Sequence, residues 1–147
     1  MIIFKHIERT ALEEEALSKL IRKHTSTQKD ILVVFDKRMK DTYGSYIWNS
    51  EKNLHEIRIS PVKFEYKDRT YKIYEMISTI IHECKHLQQR EDLGHQTFNS
   101  KKFGCNRDIK HKEASELYSQ CEVEARIYEA KNVLESVDFY YQHCKSP

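Results

Sequence analysis

Residues 79–90, "TIIHECKHLQQR", contain His82-Glu83-Cys84-Lys85-His86, an H-E-x-x-H. Apolar residues at Ile73, Met76, Ile77, Ile80, Ile81, Cys84 and Leu87 recur at helical spacing around it, which predicts a helix from about Thr70 to Arg90. Gly94 marks its stop. Residues four apart share a helix face, so His82 and His86 aim two imidazoles at one point. A tetrahedral zinc ion needs that geometry from its first two ligands. Glu83 lies one residue round, placed to take a proton from water at the metal without binding the metal itself. The pattern fixes only three positions in a chain with eight histidines, so the pentapeptide alone does not decide the matter. Its setting adds weight: two histidines and a glutamate on a core helix are costly to desolvate without a partner, and a metal supplies one.

The rest of the chain bounds what such a helix can belong to. Its 147 residues have the length of one ordinary domain, here residues 1–147, and are enough to bury one core. Three glycines and two prolines, with 39% hydrophobic and 33% charged residues, read as a helix-rich globular composition. The 25 basic residues nearly balance the 23 acidic ones, which argues against a dedicated nucleic-acid surface. The basic patch "NSKKFGCNRDIKHK" (99–112) reads as a solvated loop. No apolar run approaches the roughly 18 residues of a membrane span. "MIIFKHIERT" has a short apolar run but no cleavage-like site, so Cys84, Cys105, Cys121 and Cys144, none in a C-x-x-C, are expected to be reduced thiols of a cytoplasmic protein.

Residues 8–24 read as a helix, with Thr10 and Glu13 as a capping box and Leu12, Ala16, Leu17, Leu20 and Ile21 on one stripe. "DILVVFDKRM" (30–39), "GSYIWNS" (44–50) and "NLHEIRIS" (53–60) read as strands, the last half-buried and stopped by Pro61. Short turns between them predict a small, largely antiparallel sheet. Residues 95–110 read as loop, and a long helix is expected from about Lys112 to Tyr141, with Ala114, Leu117, Tyr118, Cys121, Ala125 and Tyr128 along one face.

"STIIHECKHLQQ" resembles the active-site helix of the zincin metallopeptidases, and residues 30–130 are similar in element order to the minimal domain of small gluzincin-type proteins, including phage-encoded and SprT-like ones. The resemblance implies an α+β zincin-like fold: a three-stranded or slightly larger sheet packed against the H-E-x-x-H helix and a C-terminal ligand helix. It implies a zinc ion (Zn2+) and, as third ligand, a glutamate from the later helix in a pattern like E-x-x-A/S-D. Glu122-Val123-Glu124-Ala125 matches the first part, while the final acid, which in the family orients a histidine ligand, is Arg126 here. Helical geometry does not choose between Glu122 and Glu124; the motif alignment favours Glu122. A metzincin would continue H-x-x-G-x-x-H, but the glycine position is Gln89 and the last is Asp92; Asp92 and His95 are the remaining candidates.

The implied activity is hydrolysis of a peptide bond, with His82, His86 and Glu122 as metal ligands and Glu83 as general base. Tyr118 and His111 are candidates for the oxyanion, against plain core and loop roles. Cys84 falls in the packing phase of the helix. Tyr46, Ile47 and Trp48 fit either a peptide groove or core packing. The expected protein is a cytoplasmic monomer acting on a peptide or protein, with no membrane or nucleic-acid partner. The competing expectation is a zinc-stabilised regulatory or protein-binding module with little catalysis.

Overall fold

Ile2–Lys5 (β1) and Asp30–Phe35 (β2) lie side by side in parallel, with Glu14–His24 (α1) crossing between them. Gly44–Asn49 (β3) and Leu54–Ile59 (β4) form an antiparallel pair, and β4 returns to lie parallel to β2. A 3-10 turn at Pro61–Phe64 leads into Arg69–Leu93 (α2), followed by His95–Phe98 (α3) and Gln120–His143 (α4). The computed structural model describes residues 1–7, 12–65, 68–100, 102–104 and 119–144. Its class is α+β, built on a four-stranded mixed sheet in the order β1-β2-β4-β3.

The expectation of a small, largely antiparallel sheet is therefore corrected: only β3 runs against its neighbour. The short connections suggested successive hairpins, but the described residues form just one, β3 with β4. β2 and β4 take the two central places, and this explains why neither is cleanly half-buried. Ile31, Val33, Phe35, Ile57 and Ile59 face the helices, while Leu32, Val34 and Leu54 form a separate small cluster on the other face. Glu56 is buried on that second face because Arg58 spans from it (Nε–Oε2 2.8 Å) to Asp36 (Nη1–Oδ2 2.7 Å).

The first helix is shorter than its sequence pattern. It starts at Glu14, so Glu13 is the N-cap and not the third residue of a capping box; Thr10 lies outside the described residues. The Glu13 N–H, one of the orphan donors of a helix start, donates to the Tyr140 hydroxyl on α4 at 2.7 Å. Ala16, Leu17, Leu20 and Ile21 still form the buried stripe, and Arg22, Lys23 and His24 close the C-terminal turn.

α2 runs through the core. Asp68 caps it by accepting from the Tyr71 N–H (3.0 Å), and Gly94 ends it at φ +81°, a backbone conformation costly for side-chain-bearing residues. Ile73, Met76, Ile77, Ile80, Ile81, Cys84 and Leu87 are buried, each large side chain contributing about 1.5–3 kcal/mol by leaving water. Its C-terminal half is tied to the sheet through His55, which is fully buried. Burial lowers the His55 pKa and so favours the neutral ring. In that form Nδ1 accepts from the Tyr46 hydroxyl (2.7 Å) and Nε2–H donates to Glu91 (2.6 Å).

Candidate metal centre

α2 and α4 pack against each other over much of their lengths. They run antiparallel, since the contacts of α2 from Ser78 to Gln89 meet α4 from Glu129 back to Cys121. Ser78, His82, His86 and Gln89 fall on one side of α2. On α4, Cys121 and Ala125 form the buried line, and Glu122 flanks it.

Glu122 reaches both histidines. Its Oε1 is 2.9 Å from His86 Nε2 and its Oε2 is 3.3 Å from His82 Nε2. The three side chains offer ligand atoms that all lie within 4.8 Å of one another, an arrangement that can hold a metal ion. The edge of a tetrahedron with metal–ligand bonds of about 2.0–2.1 Å is about 3.3 Å, so these two distances are near those of neighbouring ligands in such a site. The imidazole rings stand edge to face, with centroids 4.9 Å apart.

The far side of each ring is also held. His82 Nδ1 lies 2.9 Å from Glu129 Oε1, and Ser78 Oγ donates to Glu129 Oε2 at 2.5 Å. His86 Nδ1 lies 2.9 Å from Gln89 Oε1. Partners of this kind fix the orientation of histidines that bind metals. The acid that the sequence resemblance leads one to expect at Arg126 is absent, and Glu129, three residues further on, meets His82. Burial opposes ionisation of Glu129, but hydrogen bonds from His82 and Ser78 outweigh it, and the charge of the exposed Arg126 adds to them.

The electrostatics follow from the pairing. Burial opposes ionisation of Glu122, but the hydrogen bonds and charges of His82 and His86 outweigh it and hold the carboxyl well below its usual range. Burial likewise favours neutral His82, yet hydrogen bonds to Glu122 and Glu129, with the charge of Glu83, push its pKa up to about 10. Burial raises the Cys84 thiol, with the Glu83 charge adding to it, which suits a packing residue and not a nucleophile. Glu83 is only 5% exposed and faces β3: its Cγ lies 3.3 Å from the place a Cβ on Gly44 would occupy. Gly44 is thus a close-approach residue where α2 passes β3.

The other sequence candidates fall elsewhere. Glu124 sits on the opposite flank of α4 from Glu122 and accepts from Gln89 Nε2 at 3.2 Å. Asp92 and His95 are exposed; Asp92 accepts from Gln88, and His95 contacts Arg90 and Asn99. Tyr118, His111, Ala114, Leu117 and most of the 99–112 patch lie outside the described residues. Tyr46 is a core residue, whereas Trp48 is flanked by the cations of Lys29 (4.9 Å) and Arg90 (4.5 Å) and Ile47 is exposed. Cys84 and Cys144 are free, but Cys121 is disulfide-bonded, so the expectation of reduced thiols fails there and the compartment argument built on it lapses. Spacing without a motif carries no pairing information.

Sequence reasoning missed Glu129, Ser78 and the Gln89–Glu124 pair. A signal for Glu129 existed: it stands seven residues beyond Glu122, which on an α-helix differs by only about 20°. Among the described residues, no helix is long and apolar enough to cross a membrane. No protein-family model, no curated protein and no solved structure matches the chain.

Proposed function

We propose that the chain is a zinc-dependent metallopeptidase of zincin type, acting on a peptide or protein. The observation that carries this reading is the meeting of His82 and His86 from α2 with Glu122 from α4, each imidazole backed at Nδ1 by a second side chain. Two imidazole nitrogens and one carboxylate oxygen form a donor set that zinc takes in hydrolytic sites, and three protein ligands is the number such sites use. The resemblance of "STIIHECKHLQQ" to a zincin helix selects zinc among the metals that imidazole suits.

When bound, zinc supplies Lewis acidity to water and to a carbonyl oxygen. The chain's own residues do the rest. His82 and His86 present Nε2 while Glu129 and Gln89 hold their rings from behind. Glu83, next to His82 on the same helix, takes a proton from water and returns it to the departing amine.

A second reading is a zinc-stabilised regulatory or protein-binding module with little catalysis. The near-complete burial of Glu83 against β3 favours it, since a base must reach its proton. One set of measurements separates the two. Metal analysis of the purified chain is expected to give one zinc per chain, lost when His82 and His86 are both replaced by Ala. A peptide library is expected to be cleaved by the zinc-loaded wild type and not by Glu83→Gln, which keeps its zinc. Zinc uptake without cleavage of any library member would replace the first reading by the second. Tight zinc binding by the double Ala variant would remove both.

A further inference from the structure

Gln89 stands three residues after His86, and its side chain reads out the hydrogen-bonding state of that histidine. The amide nitrogen lies 3.1 Å from the Cys121 carbonyl oxygen and 3.2 Å from Glu124 Oε2. A carbonyl and a carboxylate can only accept, so this end of the amide must be its NH2 group. The oxygen end then faces His86 Nδ1 at 2.9 Å. An amide oxygen also only accepts, so Nδ1 carries a hydrogen. Cys121 Sγ also lies 3.2 Å from Nδ1; that sulfur is in a disulfide and has no hydrogen to give. With a hydrogen held on Nδ1, Nε2 is the nitrogen left to bind a metal, and it does so by losing the hydrogen that it otherwise donates to the Glu122 carboxylate 2.9 Å away.

We propose that Gln89, itself held by Glu124 and the Cys121 carbonyl, is the positioning residue that fixes the ring orientation and tautomer of His86 for metal binding. The proposal rests on the metal-site reading and deepens it. It makes the two histidines unequal: His82 leans on a carboxylate, His86 on a neutral amide anchored to α4. It also gives physical meaning to a departure in the sequence. Where a metzincin run would have glycine and turn, α2 continues to Leu93, and this continuation keeps the residue-89 side chain one turn below His86. Glu124 thereby acts through Gln89 and never touches the ion.

The test uses the full chain labelled with 15N histidine, loaded with zinc, and titrated against a chromophoric chelator. The wild type is expected to show His86 bound through Nε2, with an Nδ1 proton protected from solvent exchange. Gln89→Leu is expected to lower zinc affinity by about 10–100-fold, the usual cost of losing such a partner. Glu124→Ala, at a half-exposed site that leaves the core intact, is expected to keep stoichiometric zinc but lose the exchange protection of that proton. The exchanged pair Gln89→Glu with Glu124→Gln restores an acceptor toward Nδ1 and a donor toward residue 89, and is expected to recover most of the affinity lost in Gln89→Leu. Unchanged affinity and an unchanged Nδ1 proton in both Gln89→Leu and Glu124→Ala would overturn the proposal while leaving the metal site standing. A wild type that takes up no zinc would overturn the metal-site reading and this one together.

Discussion

Glu129 Oε1 lies 2.9 Å from His82 Nδ1, two helical turns beyond Glu122, whose carboxylate faces Nε2 of the same ring. One helix therefore holds both ends of one imidazole. The consequence is that α4 both completes the candidate ligand set and orients part of it. Glu129→Ala is expected to lower zinc affinity by about 10–100-fold without removing stoichiometric binding at high zinc. Competition with a chelator of known affinity reads this directly. Glu129→Gln should fall between wild type and Ala, because its amide oxygen still accepts from Nδ1–H but brings no charge. Wild-type affinity in Glu129→Ala would mean that Glu122 and Gln89 suffice to orient both rings.

Glu122 and Glu124 should separate cleanly in zinc binding. Glu122→Ala removes a ligand atom, so the loss is expected to exceed 100-fold, beyond the usual range for an outer partner. Glu124→Ala removes only the anchor of Gln89, so its loss is expected to be about tenfold or less. A metal that bridges α2 and α4 contributes to folding, so the thermal midpoint with excess zinc should drop much more for Glu122→Ala than for Glu124→Ala. Equal losses from both acids would show that the geometry of α4 changes when metal binds.

How much of this was readable in the sequence depends on the range of the interaction concerned. α2 was legible nearly to its ends, because Ile73 to Leu87 repeat at helical spacing and Gly94 stops them. β2, β3 and β4 were legible because β-branched and aromatic runs sit between turns. The parallel order was not, since β1 is a four-residue run that has meaning only beside β2, and the pairing of β4 with β2 past the intervening β3 has no local signature. Met1 contributes to that pairing through its carbonyl, which accepts from the Ile31 N–H at 3.0 Å. The pairing of His82 with His86 was legible as a local motif, and Glu122 only through an analogy of pattern. Glu129 and Gln89 owe their roles to the antiparallel contact of α2 with α4. No local pattern encodes that contact.

The stability of the metal-free chain and the stabilisation that zinc adds should respond to pH in opposite senses. The His82 pKa is raised from 6.5 to about 10, so the protonated ring stabilises the metal-free fold. That contribution is fully present below about pH 6.5 and is lost as pH rises through about 10. The Glu122 pKa is shifted the other way from its ordinary 4.5, so its contribution is present above that value and fades as pH falls below it. In chelator, the thermal midpoint is expected to decline between pH 7 and 10, and His82→Gln should flatten this decline. Zinc must displace the His82 proton, so the stabilisation added by zinc should grow over the same interval. A midpoint in chelator that is flat or rising from pH 7 to 10, and equally so in His82→Gln, would remove the ion cluster as its source.

Gly44 sets how closely β3 can approach the helix that carries Glu83. A Cβ at this position would lie 2.6 Å from Thr79 Cγ2, 3.2 Å from the Arg58 carbonyl oxygen and 3.3 Å from Glu83 Cγ. The first distance is too short for real atoms, and the second involves backbone that cannot swing away. Gly44→Ala should therefore overpack the contact and destabilise the fold by about 1–3 kcal/mol. Thr79→Ser deletes the clashing methyl, so the double variant Gly44→Ala with Thr79→Ser should recover part of the loss. Denaturant midpoints of the wild type, the two single variants and the double variant read the coupling. If Glu83 is the base, displacing it should cost more turnover than zinc affinity, because Glu83 is not a ligand. Gly44→Ala should then lower kcat strongly, leave zinc binding within a few-fold of wild type, and regain turnover in the double variant. Full stability and turnover in Gly44→Ala would mean that β3 and α2 have room to separate, and that glycine at this position serves neither packing nor Glu83.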